Sequence, residues 1–254
     1  VKVTVLGCGT SSGVPRLGND FGSCDPANPR NRRRRVSVLV EHGPVRVLVD
    51  TGPDMREQLL SAGVGTVDAV LITHDHADHT HGIDDLRGIY HNLGHRVPVY
   101  ASGATWEVLT PRFRYLSQGG GGYPPIMDAL TVEGDLQFGS LIVRPFRQIH
   151  GMIDSLGFRF EANGVAFAYS TDVNAIPQSS EPYLSGLDLW IVDALRRKPH
   201  PSHAHLSRTL EWVARWSPRR ALITHMDNTM DYETLLRELP APVEPAYDGQ
   251  VIEL

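Results

Sequence analysis

Cysteine is almost missing: Cys8 and Cys24 are the only two in a chain of 254 residues, and they form no CxxC pair. That excludes a disulfide framework and fits a reducing, cytoplasmic setting. Long apolar runs are missing too. No stretch approaches the roughly 18 residues of a transmembrane helix, so no membrane partner is expected. The opening VKVTVLG alternates like a strand and lacks the basic-then-apolar profile of a signal peptide. Positive charge is also in short supply. With 24 Lys and Arg against 29 Asp and Glu, the net charge of −5 argues against a stable nucleic-acid complex. The exception is the run Arg32 to Arg35, which reads as a phosphate contact or as the solvated face of a loop. The composition of the whole chain, 41% hydrophobic and 21% charged, is ordinary for a globular protein with a sizeable core.

Short β-type runs bounded by Gly, Pro, Asp or Asn lie near 2–7, 36–41, 45–50, 68–73, 97–101, 129–133, 141–149, 156–161, 165–170, 188–193, 220–224 and 242–253. Apolar residues spaced by three and four predict helices over 54–62, 82–92, 103–110, 206–216 and 231–238. The mixture is an α/β class with helices covering sheets. An internal echo organises it. VRVLVDTG (45–52) precedes DAVLITH (68–74), while VAFAYSTD (165–172) precedes DLWIVD (188–193) and RALITH (220–225). Two halves that each end buried strands in Asp or His point to a duplicated unit facing a shared site. Two long segments without periodicity, 8–35 and 115–125, are candidate functional loops, the second a flexible flap.

The densest chemistry is LITHDHADHTHG, residues 71–82. His74, His76, Asp78 and His79 bring imidazole nitrogen and carboxylate oxygen, good ligands for zinc and other first-row divalent metals, into H-x-H-x-D-H spacing. The single-zinc helix motif H-E-x-x-H is absent. One histidine alone is usually a surface or capping residue; four ligand-type residues in six positions are better explained as ligands for two metals. His150, Asp172 and His225 each end a predicted strand, and a carboxylate can bridge two metals that lie roughly 3.5–4 Å apart.

In this order the seven residues resemble the signature of the metallo-β-lactamase-fold hydrolase superfamily, and the match covers nearly the whole chain. The resemblance implies an αβ/βα four-layer sandwich with two β-sheets flanked by helices, formed by one domain over 1–254 built from two similar halves. It implies two divalent metal ions, one held by His74, His76 and His150, the other by Asp78, His79 and His225, with Asp172 bridging. Zinc is the first expectation, and manganese or iron suits the same donors. Asp rather than Cys at position 172 is more like the phosphodiesterase, nuclease and thioesterase branches than the true β-lactamases.

HTHGIDDLR (79–87) and VLGCGTSSGVPR (5–16) are similar to the PhnP-like phosphodiesterases, which include phosphoribosyl cyclic phosphate phosphodiesterase. That branch implies a small cyclic or nucleotide-type phosphodiester substrate, a homodimer, and a site-facing histidine before a late helix. His203 is the match, as proton donor to the leaving oxygen, with His205 in reserve and Asp193 as its orienting carboxylate. The plain alternative is that Ser202 or His203 caps the helix. Asp172 counts as catalytic as well as a ligand, and Asp50 is expected to orient a metal-bound histidine. Some PhnP-like proteins hold a further structural zinc through early-loop cysteines; with only Cys24 there, that site is not expected. The rival functions are a thioester or lactam hydrolase, an RNA 3′-end nuclease of the tRNA-processing type, and a non-catalytic metal-binding sensor.

Overall fold

Alternation along the first three strands sets the layers. In the computed structural model, which describes residues 1–254, β1 (Lys2–Gly7), β2 (Ser37–His42) and β3 (Val45–Val49) turn Val3, Val5, Val38, Val40, Val47 and Val49 into the larger core. The intervening Leu6, Leu39 and Leu48 face the opposite way, into a second core beneath helices α1 (Met55–Ala62), α3 (Leu86–Leu93) and α4 (Gly103–Gln118). A sheet with two apolar faces must be covered on both. Here one face meets helices and the other meets a second sheet.

The first sheet runs β14-β1-β2-β3-β4-β5-β6, adding β4 (Ala69–Leu71), β5 (Val97–Ala101), β6 (Met127–Thr131) and β14 (Val251–Glu253). The second runs β13-β12-β11-β10-β9-β8-β7. Its strands are β7 (Leu136–Phe138), β8 (Leu141–His150), β9 (Ile153–Ala162), β10 (Val165–Ser170), β11 (Leu189–Asp193), β12 (Ala221–Thr224) and β13 (Val243–Pro245). Helices α5 (Leu206–Trp216) and α6 (Tyr232–Glu238) cover it through Trp212, Val213 and Leu235. Phe160 and Phe167 stack between neighbouring strands at 4.6 Å; burying such a ring stabilises by roughly 1.5–3 kcal/mol.

Both sheets carry the same series of pairings, three antiparallel and then three parallel. Strand β3 thus corresponds to β10, and β4 to β11. The repeated Leu-Ile-Thr-His ends β4 and β12, which are not counterparts, so that likeness reflects a shared demand at strand ends, while VRVLVDTG and VAFAYSTD are the true pair.

Other expectations change in detail. The run 242–253 divides between the two sheets, because the turn at 246–250 carries the chain from β13 across to pair with β1. Strand β7 arises in a stretch with little alternation, completed by register with β8. Helix α4 runs on to Gln118 past Pro111, kinked at Phe113 (φ −122°, ψ 24°), because packing of Leu109 and Leu116 outweighs the lost backbone donor. The segment 82–92 begins as a 3-10 turn over Ile83–Asp85 before α3 starts. No helix is long and apolar enough to cross a membrane.

Candidate metal centre

The ends of five strands converge on one point. His74 follows β4, His150 closes β8, Asp172 follows β10, Asp193 closes β11 and His225 follows β12. A helix of one turn, α2 (Ala77–Thr80), delivers Asp78 and His79 from the same loop as His76. Asp50, Asp172 and His225 adopt left-handed backbone (φ 65°, 49° and 58°), a region where Asp, Asn and His are the tolerated side-chain-bearing residues. Directly after a strand, that turn aims the side chain away from the strand's own path. Glycine enables the close fit: a Cβ on Gly82 would lie 2.0 Å from the Gly52 carbonyl, so only glycine lets the 50–52 turn press against the 78–82 loop.

Two donor groups share one carboxylate. His74, His76, His150 and Asp172 offer donor atoms within 4.8 Å of one another, and so do Asp78, His79, Asp172 and His225. Asp172 Oδ2 faces His150 Nε2 at 3.5 Å and His74 Nε2 at 3.6 Å, whereas its Oδ1 faces His79 Nε2 at 3.1 Å and His225 Nε2 at 3.3 Å. Asp78 Oδ2 stands 3.4 Å from His79 Nε2 and 3.6 Å from His225 Nε2. The seven residues singled out in the sequence are therefore brought together.

The outward nitrogens of three of the rings have partners. His79 Nδ1 donates to Asp50 Oδ2 at 2.7 Å, and His150 Nδ1 donates to the Ser202 carbonyl at 2.7 Å. His74 Nδ1 donates to Thr73 Oγ1 at 3.0 Å, whose own proton goes to Asp50 at 3.0 Å. One buried carboxylate thus orients a histidine of each donor group. The inward Nε2 atoms of His74, His79 and His225 are buried without a hydrogen-bond partner. Buried imidazole nitrogens left bare cost free energy unless something accepts their lone pairs, and a divalent cation does so. The donor set therefore fits metal ions.

Burial pushes Asp172 upward, but the neighbouring His225 and His79 overcome this and hold its carboxyl well below the usual range. Burial together with the adjoining His79 lowers His74 well below its usual value, which favours the neutral form that ligates.

His203 stands at the rim, its side chain 11% exposed, with Nδ1 donating to the fully buried Asp193 Oδ2 at 2.9 Å and Nε2 3.8 Å from Asp172 Oδ2. The plain alternative does not hold: neither Ser202 nor His203 caps α5. His205 does, accepting from the Arg208 amide, which takes this reserve candidate out of the donor cluster. Sequence reasoning missed Thr73 and the Ser202 carbonyl. The repeated Leu-Ile-Thr-His was a signal for the threonine; nothing local marks a carbonyl.

The arginine run disperses. Arg32 lies over the Phe21 ring, Arg34 reaches Glu57 and Ser61, and Arg35 pairs with Asp54 at 2.8 Å. Arg33 is buried beside Cys24 and donates to the carbonyls of Asp227 and Met230, so a guanidinium ties the early loop to the segment after His225.

A metal-binding hydrolase fold is what these layers and strand ends define. The family described as "Beta-lactamase superfamily domain" matches residues 45–226, and the chain belongs to it, with a metallo-β-lactamase fold of PhnP-like type. The crystal structure of a diphosphatase from the PhnP family is similar over 100% of this chain and 97% of that one, at 36% identity and a TM-score of 0.91. An octanoyltransferase of Porphyromonas gingivalis is 32% identical over 257 residues, covering 98% of this chain and 51% of that protein. A ribonuclease Z of Bradyrhizobium sp. (strain ORS 278) is 33% identical over 142 residues, covering 52% of this chain and 46% of that protein. The chain thus spans about half the length of each of these two relatives.

Proposed function

We propose that this metal-dependent hydrolase is a dinuclear phosphodiesterase that cleaves a small cyclic or nucleotide-type phosphodiester. The observation that carries the proposal is Asp172, whose two oxygens each face a separate set of histidines. In this reading His74, His76 and His150 would hold one ion and Asp78, His79 and His225 the other, with Asp172 available to both. Two divalent cations in such a site lower the pKa of water and neutralise charge on a phosphoryl oxygen.

The protein's own groups divide the remaining work. Asp50 fixes the ring orientation of His79 directly and of His74 through Thr73. Asp193 accepts the Nδ1 proton of His203, which leaves Nε2 turned toward the Asp172 side of the site. From there His203 passes a proton to the leaving oxygen, a task suited to an imidazole near neutral pH. The acidic chain and the scattered arginines favour a small substrate over a long nucleic acid.

The test is hydrolysis of bis(p-nitrophenyl) phosphate by metal-loaded and chelated protein, with a thioester and a β-lactam alongside. Phosphodiester turnover that disappears on chelation and exceeds the other two is expected. Absence of turnover from protein holding two metal equivalents overturns the proposal.

A further inference from the structure

The loop that delivers His203 is held by few bonds. Pro199 and Pro201 stand two apart in it and have no N–H to give, so this stretch must be tied down through its carbonyls. Those of Lys198 and Pro199 are taken by the neighbouring Arg196 side chain, which braces the loop against itself. Two others carry the backbone of 197–203 to the rest of the molecule. The Ser202 carbonyl accepts from His150 Nδ1 at 2.7 Å, and the Pro201 carbonyl accepts from Asn174 Nδ2 at 2.9 Å. Side chains add His203 to Asp193 and, at the surface, Arg197 to Glu238.

Asn174 makes its bond from a fixed base. Its own amide donates to the Ile149 carbonyl at 2.8 Å and its Oδ1 accepts from the Gly151 amide at 3.0 Å, so this half-buried residue clasps the β8–β9 turn on both sides of His150. Gly151 has φ 62°, and a Cβ there would lie 2.8 Å from Ser202 Cβ; only glycine lets the turn and the loop sit this close. One residue before Asn174, the Val173 amide donates to Asp193 Oδ2 at 3.1 Å, the same oxygen that receives His203 Nδ1. The Val173 carbonyl accepts from the Ala204 amide at 2.7 Å. Position 174 therefore needs a side chain that accepts from one backbone and donates to another, which asparagine does and an ionised aspartate does not.

We infer that Asn174 is a positioning residue: it fixes the depth at which His203 faces the site and at which the Ser202 carbonyl meets His150. The service of His203 in turnover rests on the phosphodiesterase reading, whereas the placement of the two rings does not.

The first measurement is the solvent exchange rate of the imidazole Nδ1 protons in zinc-loaded protein, followed by ¹⁵N NMR. Asn174→Ala should speed exchange about ten-fold at His150 and His203, the worth of one lost hydrogen bond, and leave His79, held by Asp50 instead, unchanged. Asn174→Asp, which keeps an acceptor for Gly151 but has no donor for Pro201, should do the same. The second measurement is kcat for an alkyl phosphodiester relative to bis(p-nitrophenyl) phosphate. That ratio should fall about ten-fold in Asn174→Ala, and the same change in a His203→Ala background should lower it no further, because the effect passes through that ring. Equal quickening at His79, unchanged exchange at His150 or His203, wild-type behaviour of Asn174→Asp, or an undiminished ester ratio each overturns the inference. If wild-type protein cleaves neither ester, the phosphodiesterase reading fails, and the exchange rates alone decide the role of Asn174.

Discussion

Replacing His203 by alanine separates metal binding from proton transfer. The ring is held at one end by Asp193, 2.9 Å from Nδ1, and its free nitrogen is 3.8 Å from the nearest Asp172 oxygen, so its removal takes away no member of the two donor groups assigned to the metals. The variant is expected to keep both metal equivalents by elemental analysis. A positioned general acid typically contributes about 10²–10⁴-fold, or roughly 3–5 kcal/mol of barrier. That loss should appear in full for an alkyl phosphodiester, whose leaving alkoxide needs a proton. For bis(p-nitrophenyl) phosphate, whose leaving group is stable as an anion, it should shrink to less than about ten-fold. Asp193→Asn should fall between wild type and His203→Ala on the alkyl ester, because the imidazole survives but loses its orienting acceptor. Steady-state kinetics on the two esters at matched metal content is the assay. Equal losses on both would refute the proton-donor role and leave His203 a positioning residue.

Three further outcomes follow from the geometry. Asp172→Ala should release both metals together, since each donor group loses a member; two retained equivalents by elemental analysis would contradict the shared carboxylate. Asp50→Asn should weaken metal affinity by roughly 10–100-fold, the usual effect of losing an orienting partner, and competition with a chromogenic chelator should register it in both equivalents because Asp50 serves His79 and His74 alike. Beside the end of β1, burial pushes the Asp248 carboxyl up to about 6, although the amides of Arg34 and Cys8 donate to it. Its folded pKa lies above the unfolded value, so between about pH 4 and 6 the native state holds the extra proton. This group's contribution to stability is then lost as pH rises through that window, by about 3 kcal/mol. A carboxyl ¹³C titration should give a midpoint near 6, and a midpoint near 4 would remove the effect.

Strand ends and ligand types were written locally. His74, His76, Asp78 and His79 stand within six residues, and His150, Asp172 and His225 each follow a run whose β-branched and aromatic residues mark a buried strand. Period-2 alternation puts Val3, Val38 and Val47 on one face of the folded sheet and Leu39 and Leu48 on the other, because successive side chains on a strand must point to opposite sides. Elements that depend on a distant partner were not legible in this way. Strand β7 exists through its register with β8, and the split of 242–253 between two sheets depends on which edges are open to it. The arginine run was opaque for the same reason: four adjacent residues of one type have four different surroundings, and burial of Arg33 beneath the loop after His225 is set by chain packing.

Sequence by itself thus determined the layered α/β class and the order of the His and Asp residues that the strand ends gather, because periodicity and side-chain chemistry are properties of neighbouring residues. Tertiary structure alone decided that one Asp172 oxygen faces His74 and His150 while the other faces His79 and His225. It also decided that Asp50 braces both groups, and that His203, not His205, looks into the site. Those relations join residues up to about 150 positions apart, and such distances are set only when two sheets pack face to face.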